Sequence, residues 1–282
     1  MSSDDYDSEY DGEVNYRNIG SPVRLLQKPT TKVLGRETET EFLLDTLSKK
    51  RMRHCTIVGE PGVGKTELVR HIAQQVKDRY IFVEFNLGTV TAHTKYRGEF
   101  EQKFISMVRS AISMKKKDDL GRECVLFIDE VHTLVTAGVC VDKDNELSGA
   151  NILKPYLTGN EFVLWGATTP REYKASIKAD GALNRRMPPV YLPELSDDVV
   201  IKILRNFAGV YLKDDRLAKY ITAKSRTIEG SHQPDAGLEV LDRCMARSIR
   251  TGKSISEKMV DEIINFMKVQ YELGGESEND KL

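Results

Sequence analysis

Lys65 and Thr66 close the run Gly59-Glu60-Pro61-Gly62-Val63-Gly64-Lys65-Thr66, which fits G-x-x-x-x-G-K-[ST] without departure. The chemistry of that spacing is phosphate binding. Glycines let successive backbone N–H groups curl around a β-phosphate, and a helix N-terminus adds its positive end. The Lys65 ammonium would reach the β- and γ-phosphates, and the Thr66 hydroxyl would ligate magnesium. The apolar run HCTIV precedes the motif and the helical pattern ELVRHIAQQV follows it, so Glu67 opens the helix directly behind the phosphates. A glycine-rich strand-to-helix turn with no ligand is the plainer alternative. Motif and context together favour a nucleotide.

The segment VLFIDE, Val125 to Glu130, is four apolar residues ending in two acids. In an open α/β sheet, ligands sit outside the carboxyl ends of the strands, which is where Asp129 and Glu130 fall. Asp129 would hold magnesium, directly or through water, and Glu130 would orient and polarise an attacking water. Taken alone, a strand ending in a charged turn explains this segment; downstream of a phosphate loop it explains too little. The adjacent His132 reads as a packing or capping residue. FVLWGATTP is another apolar strand with a polar end, from which Thr168 or Thr169 would contact the γ-phosphate or the water.

The elements that must position these residues are visible in the hydrophobic pattern. HCTIVG, YIFVEF, CVLFID and FVLWGATT are short, continuous and bounded by polar residues or glycine. They predict strands buried on both faces, in a parallel sheet covered by helices. GEFEQKFISMVRSAI places Phe100, Phe104, Met107, Val108 and Ala111 on one helical face. The expected organisation is an acidic disordered arm over 1–28, an α/β nucleotide-binding subdomain over 29–193, a helical subdomain over 194–271 and a disordered tail over 272–282. The helical part opens at LSDDVVIKILRNF, with Ser196 as the expected N-cap and two acids in the first turn.

Composition narrows the class. The chain has 282 residues, 40% hydrophobic and 30% charged, with a formal net charge of -1. That is ordinary globular composition with no global basic field for nucleic acid. Cys55, Cys124, Cys140 and Cys244 are scattered without metal-ligand spacing, which fits a reducing compartment. The opening MSSDDYDSEYDGE holds six acids and no base, the opposite of a targeting peptide. No apolar run approaches the ~20 residues needed to span a bilayer. The expectation is a cytoplasmic protein. One stretch resists this account: TAHTKYRGEF sets Tyr96 between Lys95 and Arg97, with Gly98 behind, in what reads as an exposed loop.

Taken in order, VLGRETE, GEPGVGKTELV, KYRGEFE, LFIDEVHTL, ANILKP, GATTPREY and ALNRRM resemble the first ATPase domain of the Clp unfoldases, within the AAA+ ATPases. The resemblance runs from about residue 30 to 270. It implies an AAA+ P-loop fold with a small helical lid, ATP and Mg2+ as cofactors, and a ring of six identical chains. It assigns Gly35 and Arg36 to the adenine pocket, and Gly59 through Glu67 to the nucleotide. Thr66 and Asp129 go to the metal, Glu130 to the water and Thr169 to the first sensor. Arg185 and Arg186 match the arginine fingers that reach the γ-phosphate of the neighbouring subunit. Lys95, Tyr96, Arg97 and Gly98 match the pore loop, where a tyrosine grips a threaded polypeptide by contact indifferent to its sequence.

The pattern also breaks in places. The expectation is a single ATPase module without the Clp N-terminal domain, second ring or coiled-coil insertion. No IGF- or IGL-type loop supports docking to the ClpP peptidase. Ala236 stands where related domains carry lysine in PDKA, and residues 137 to 149 offer only a position for a second pore-facing loop. Two functions remain: a remodelling ATPase that threads protein substrates, or an assembly ATPase whose nucleotide state switches one dedicated partner. A DNA-remodelling ATPase is the third and least supported, given the near-neutral charge and the KYRG loop.

Overall fold

The structure is a computed structural model that describes residues 23–85, 102, 105–106, 108–109, 113, 120–136, 149–159, 162–212 and 215–275. The Lys95–Gly98 loop, most of the acidic arm, residues 137–148 and the end of the tail lie outside the described residues.

The four runs expected as strands form β2 (Cys55–Val58), β3 (Tyr80–Phe85), β4 (Glu123–Ile128) and β5 (Val163–Thr168). Nearly every side chain in them is buried, as a sheet covered on both faces requires. Two three-residue strands complete the sheet: β1 (Val23–Leu25) and β6 (Pro189–Tyr191). Strand order is β1-β3-β4-β5-β2-β6, with β1 antiparallel to β3 and with β3, β4 and β5 mutually parallel. β1 falls inside the stretch expected as a disordered arm. Arg24 on it pairs with Glu84 at 2.9 Å, and the Leu26 N–H continues the ladder to the Phe82 carbonyl at 3.0 Å.

The helices are α1 (Glu37–Ser48), α2 (Lys65–Gln75), α3 (Val131–Thr136), α4 (Gly149–Tyr156), α5 (Pro170–Ala175) and α6 (Gly181–Arg186), then α7 (Asp197–Ala208), α8 (Asp215–Ser225), α9 (Asp235–Thr251) and α10 (Glu257–Gly275). Within the pattern expected as a helix over residues 98–112, Ile105 and Val108 are helical and Val108 is fully buried.

The chain forms two compact units, one of Met1–Lys28, Leu43–Thr56 and Ile72–Pro189, the other of Pro29–Phe42, Ile57–His71 and Val190–Leu282. In the first, β3 to β5 are backed by buried Phe82, Phe127, Trp165 and Tyr173. Trp165 meets Phe82 edge-on at 5.5 Å, and its indole N–H donates to the Arg53 carbonyl at 3.1 Å. Where the backbone ladder beside β5 needs an acceptor, His54 Nδ1 supplies it, taking the Leu164 N–H at 3.0 Å.

The second unit holds the Gly59–Gly64 loop and α7 to α10. Val200, Ile203, Leu204 and Ala208 repeat at helical spacing on α7 and meet Ile221, Val240, Leu241, Val260 and Ile264 in one core. Ser196 takes the N-cap position of α7 through its backbone, accepting from the Val199 and Val200 N–H groups, but its hydroxyl makes no cap bond. Arg226 braces the same corner, bonding Asp197 at 2.6 Å and Glu194 at 3.0 Å.

Candidate functional site

Gly59 to Gly64 form the turn between β2 and α2, and Lys65 is the first helical residue. Gly62 has φ 80° and Gly64 φ 94°, a backbone that L side chains rarely adopt. At Gly62 a methyl would also lie 2.7 Å from the Asp235 Cβ, because the start of α9 packs against this turn. At Gly64 a methyl would meet nothing within 4 Å. The loop therefore has one packed side and one open cradle at the head of a helix. Lys65 is only 8% exposed, and its ammonium donates to the carbonyls of Gly59 at 2.8 Å and Glu60 at 3.1 Å. A cation folded over a glycine loop at the head of a helix fits a polyphosphate. Glu67 accepts the Thr30 N–H at 2.9 Å and pairs with Arg70 at 2.7 Å, so its carboxylate fastens the first turn of α2.

Gly35 and Arg36 lie in the same unit. Gly35 has φ 67°, its N–H donates to Glu37 at 3.2 Å, and Arg36 is buried at 4% exposure. Arg36 Nη2 donates to the carbonyls of Val63 at 2.9 Å and Pro193 at 2.7 Å, and Nη1 pairs with Glu39 at 3.2 Å. Burial lowers its pKa, with Glu39 pulling the other way. Ala236, at the position where related domains carry lysine, is buried and donates its N–H to the His232 carbonyl at 3.0 Å.

In the first unit, β4 ends at Ile128 and delivers Asp129 and Glu130 to the turn before α3. Glu130 has φ 52°, left-handed without being glycine. Such a backbone costs roughly 1–2 kcal/mol and concentrates at functional sites. The Glu130 N–H is held by Asp129 Oδ1 at 3.1 Å, and the Glu130 carbonyl accepts from Thr133 N–H at 2.9 Å and its hydroxyl at 2.7 Å. The peptide is locked on both sides while the carboxylate stays 52% exposed.

Thr168 and Thr169 divide the labour that the sequence leaves open between them. Thr169 is the N-cap of α5 in a reciprocal capping box with Glu172: its hydroxyl bonds the Glu172 carboxylate and accepts the Glu172 N–H at 3.4 Å, and its own N–H donates to Glu172 at 3.3 Å. Thr168, fully buried at the end of β5, faces His132 Nδ1 at 2.9 Å. Burial works against charge on Glu172, but the Thr169 bonds and the His132 ring outweigh it and hold that carboxyl below its usual range. His132, expected to pack or cap, also lies beside Glu130, with Nδ1 3.3 Å from Glu130 Oε2. No sequence signal marks this role, because it depends on Thr168 and Glu172 from a different strand and helix.

Arg185 and Arg186 end α6. Asp180 caps that helix through the Ala182 and Leu183 N–H groups, both at 3.0 Å, and pairs with Lys154 at 2.6 Å. Arg185 is exposed with Nε on the Gly181 carbonyl at 3.2 Å, and Arg186 bonds the Ala182 carbonyl at 3.0 Å. No helix among the described residues is long and apolar enough to cross a membrane.

Residues 55–188 match the family described as the ATPase family associated with various cellular activities (AAA). Over 231 residues the chain is 34% identical to the chaperone protein ClpB 1 of Synechocystis sp., covering 76% of this chain and 25% of that one. It is 34% identical over 230 residues to the chloroplastic chaperone protein ClpC1 of Oryza sativa subsp. japonica, covering 76% and 24%. The chain thus spans about a quarter of the length of these relatives. Among solved structures, the Hsp104:casein complex of S. cerevisiae in its extended conformation superposes with a TM-score of 0.65 at 27% identity, covering 80% of this chain and 40% of that one. With its glycine loop and its strand-borne acid pair, the stretch 55–188 is a domain of the AAA ATPase family, and the chain is similar along most of its length to part of the Clp-type chaperones.

Proposed function

We propose that this chain binds ATP with magnesium, hydrolyses it, and spends the cycle on remodelling a protein substrate in the pore of a six-membered ring of identical chains. The observation that carries the reading is the Gly59–Gly64 loop, left-handed at Gly62 and Gly64 and leading straight into Lys65 of α2. The loop N–H groups and the Lys65 ammonium hold the β- and γ-phosphates, and Thr66 and Asp129 hold magnesium. The metal supplies neutralisation of phosphate charge. Glu130 orients water for in-line attack and takes its proton. Arg185 and Arg186 complete the γ-phosphate environment of an adjacent chain. A guanidinium supplied in trans makes turnover depend on assembly.

Four helices following Leu195 would serve as the lid, with residues 29–193 as the nucleotide-binding part. Tyr96, flanked by Lys95 and Arg97 and freed by Gly98, grips the substrate backbone and side chains by stacking and apolar contact. Buried thiols at Cys55, Cys124 and Cys244 suit a reducing cytoplasm. Burial pushes Cys124 and Cys244 up to about 12, out of reach of ordinary thiolate chemistry.

The test is a trap experiment with Glu130→Gln, which should hold ATP and hydrolyse it slowly, beside the same protein carrying Tyr96→Ala. Capture of many unfolded proteins by the first, lost in the second, supports threading. Retention of one folded partner at fixed stoichiometry by both would instead make the chain a nucleotide-controlled assembly switch.

A further inference from the structure

His132 turns its ring back over the acid that precedes it by two residues. Its Nδ1 lies 2.9 Å from Thr168 Oγ1, 3.3 Å from Glu130 Oε2 and 3.5 Å from Glu172 Oε2. A ring nitrogen facing two carboxylate oxygens is well placed only as a donor, so Nδ1 carries the ring proton. Thr168 then turns its hydroxyl proton towards Glu172 Oε2, 3.5 Å away. Glu172 is itself fixed by the capping box at the start of α5. The result is a continuous brace from a rigid helix cap, through Thr168 and the imidazole, to a carboxylate that is otherwise 52% exposed.

We propose that His132 is a positioning residue for Glu130: its ring, set by Thr168, whose hydroxyl is in turn oriented by Glu172, shares the Nδ1 proton between Thr168 Oγ1 and Glu130 Oε2 and so fixes the Glu130 carboxylate in the orientation that activates water. The proposal rests on the reading of Glu130 given above. A glutamate has three rotatable side-chain bonds, and an unbraced rotamer carries the carboxylate more than an ångström off its mark. Displacement on that scale can cost up to about a hundredfold in rate. The imidazole touches no reacting atom in this scheme. It acts through Glu130, and its effect belongs in turnover rather than in nucleotide binding.

The experiment compares the full chain with His132→Ala, His132→Asn, Glu130→Gln and the His132→Ala/Glu130→Gln double variant. Steady-state hydrolysis of Mg-ATP, affinity for a fluorescent ATP analogue and thermal melting are read for each. His132→Ala should lower kcat about tenfold to a hundredfold, with KM and analogue affinity unchanged. His132→Asn, whose amide N–H reproduces the Nδ1 donor, should recover most of that loss. In the Glu130→Gln background, His132→Ala should subtract nothing further, because the group it positions is gone. A His132→Ala protein with parental kcat beside a slow Glu130→Gln protein would overturn the proposal alone. So would equal losses in both backgrounds with a lowered melting temperature and no rescue by asparagine, which describes a packing residue. Parental turnover in Glu130→Gln would remove the reading of Glu130 itself, and the role of His132 with it.

Discussion

Arg36 Nη2 donates to the main-chain carbonyl of Val63 at 2.9 Å, so a buried arginine grips the phosphate loop from behind. The same nitrogen holds the Pro193 carbonyl at 2.7 Å, and Nη1 holds Glu39 at 3.2 Å. The family resemblance assigns Arg36 to the adenine pocket; its guanidinium is spent on backbone carbonyls. A lysine offers one nitrogen and cannot reproduce this fork. Arg36→Lys should therefore cost about 2 kcal/mol of stability, the worth of a charged hydrogen bond left unmade, and weaken nucleotide binding as the loop loosens. Urea midpoints and an analogue titration check both; a neutral result in either contradicts the bracing role.

Gly62 and Gly64 share a left-handed backbone and differ in surroundings. An alanine at either position carries a backbone penalty of roughly 1–2 kcal/mol. At Gly62 the methyl also collides with the Asp235 Cβ at 2.7 Å, and overpacking of that kind costs about 1–3 kcal/mol more. Gly62→Ala should melt well below Gly64→Ala, which calorimetry of the two variants would reveal.

Thr169 holds a capping box, and that is a stability role whatever else it does. Thr169→Ala should lose about 1 kcal/mol, while Thr169→Ser keeps the cap. Thr168→Val removes the hydroxyl facing His132 and should depress turnover more than Thr169→Ser does. Parallel melting curves and hydrolysis rates separate the two threonines.

Acid should destabilise the first unit through His54. Burial, followed by the charge of Arg53, lowers its pKa to about 4, whereas an unfolded histidine titrates near 6.5. The folded-state value is depressed, so the contribution is fully present above pH 6.5 and is lost as pH falls towards 4. The difference amounts to at most about 3 kcal/mol. Only the upper part of that window, above the carboxylate range, isolates His54. Melting at pH 7 and pH 5 should show the loss, and His54→Gln should flatten it.

Arg185 supplies the finger in trans under the proposed mechanism. Arg185→Ala and Lys65→Ala chains should each be slow alone. Mixed before assembly, they should regain part of the hydrolysis rate, because intact Lys65 loops then face intact Arg185 side chains. Absence of any recovery in rings shown to contain both chains would argue against a shared site.

Much of this protein is legible along the chain. YIFVEF is β3 to the residue, and Gly59 to Thr66 spell a phosphate-loop motif because glycine spacing, lysine and helix start are all local. Helices α7 to α10 follow from apolar periodicity, since each must bury one face. β1 and β6 are not legible. Three residues carry too little pattern, and β1 is a strand because its backbone pairs with β3, with Arg24 opposite Glu84 sixty positions away. His132 likewise looks like any histidine after an acid pair until Thr168, 36 positions on, comes within 2.9 Å. Arg36 gives no sign that its partners are carbonyls at 63 and 193. What the sequence alone determined was the chemistry encoded in neighbouring residues: a phosphate loop, an acid pair and the elements bearing them. The tertiary structure decided which polar groups satisfy one another across the fold, because a buried hydrogen bond depends on distance in space, and spacing in sequence does not encode it.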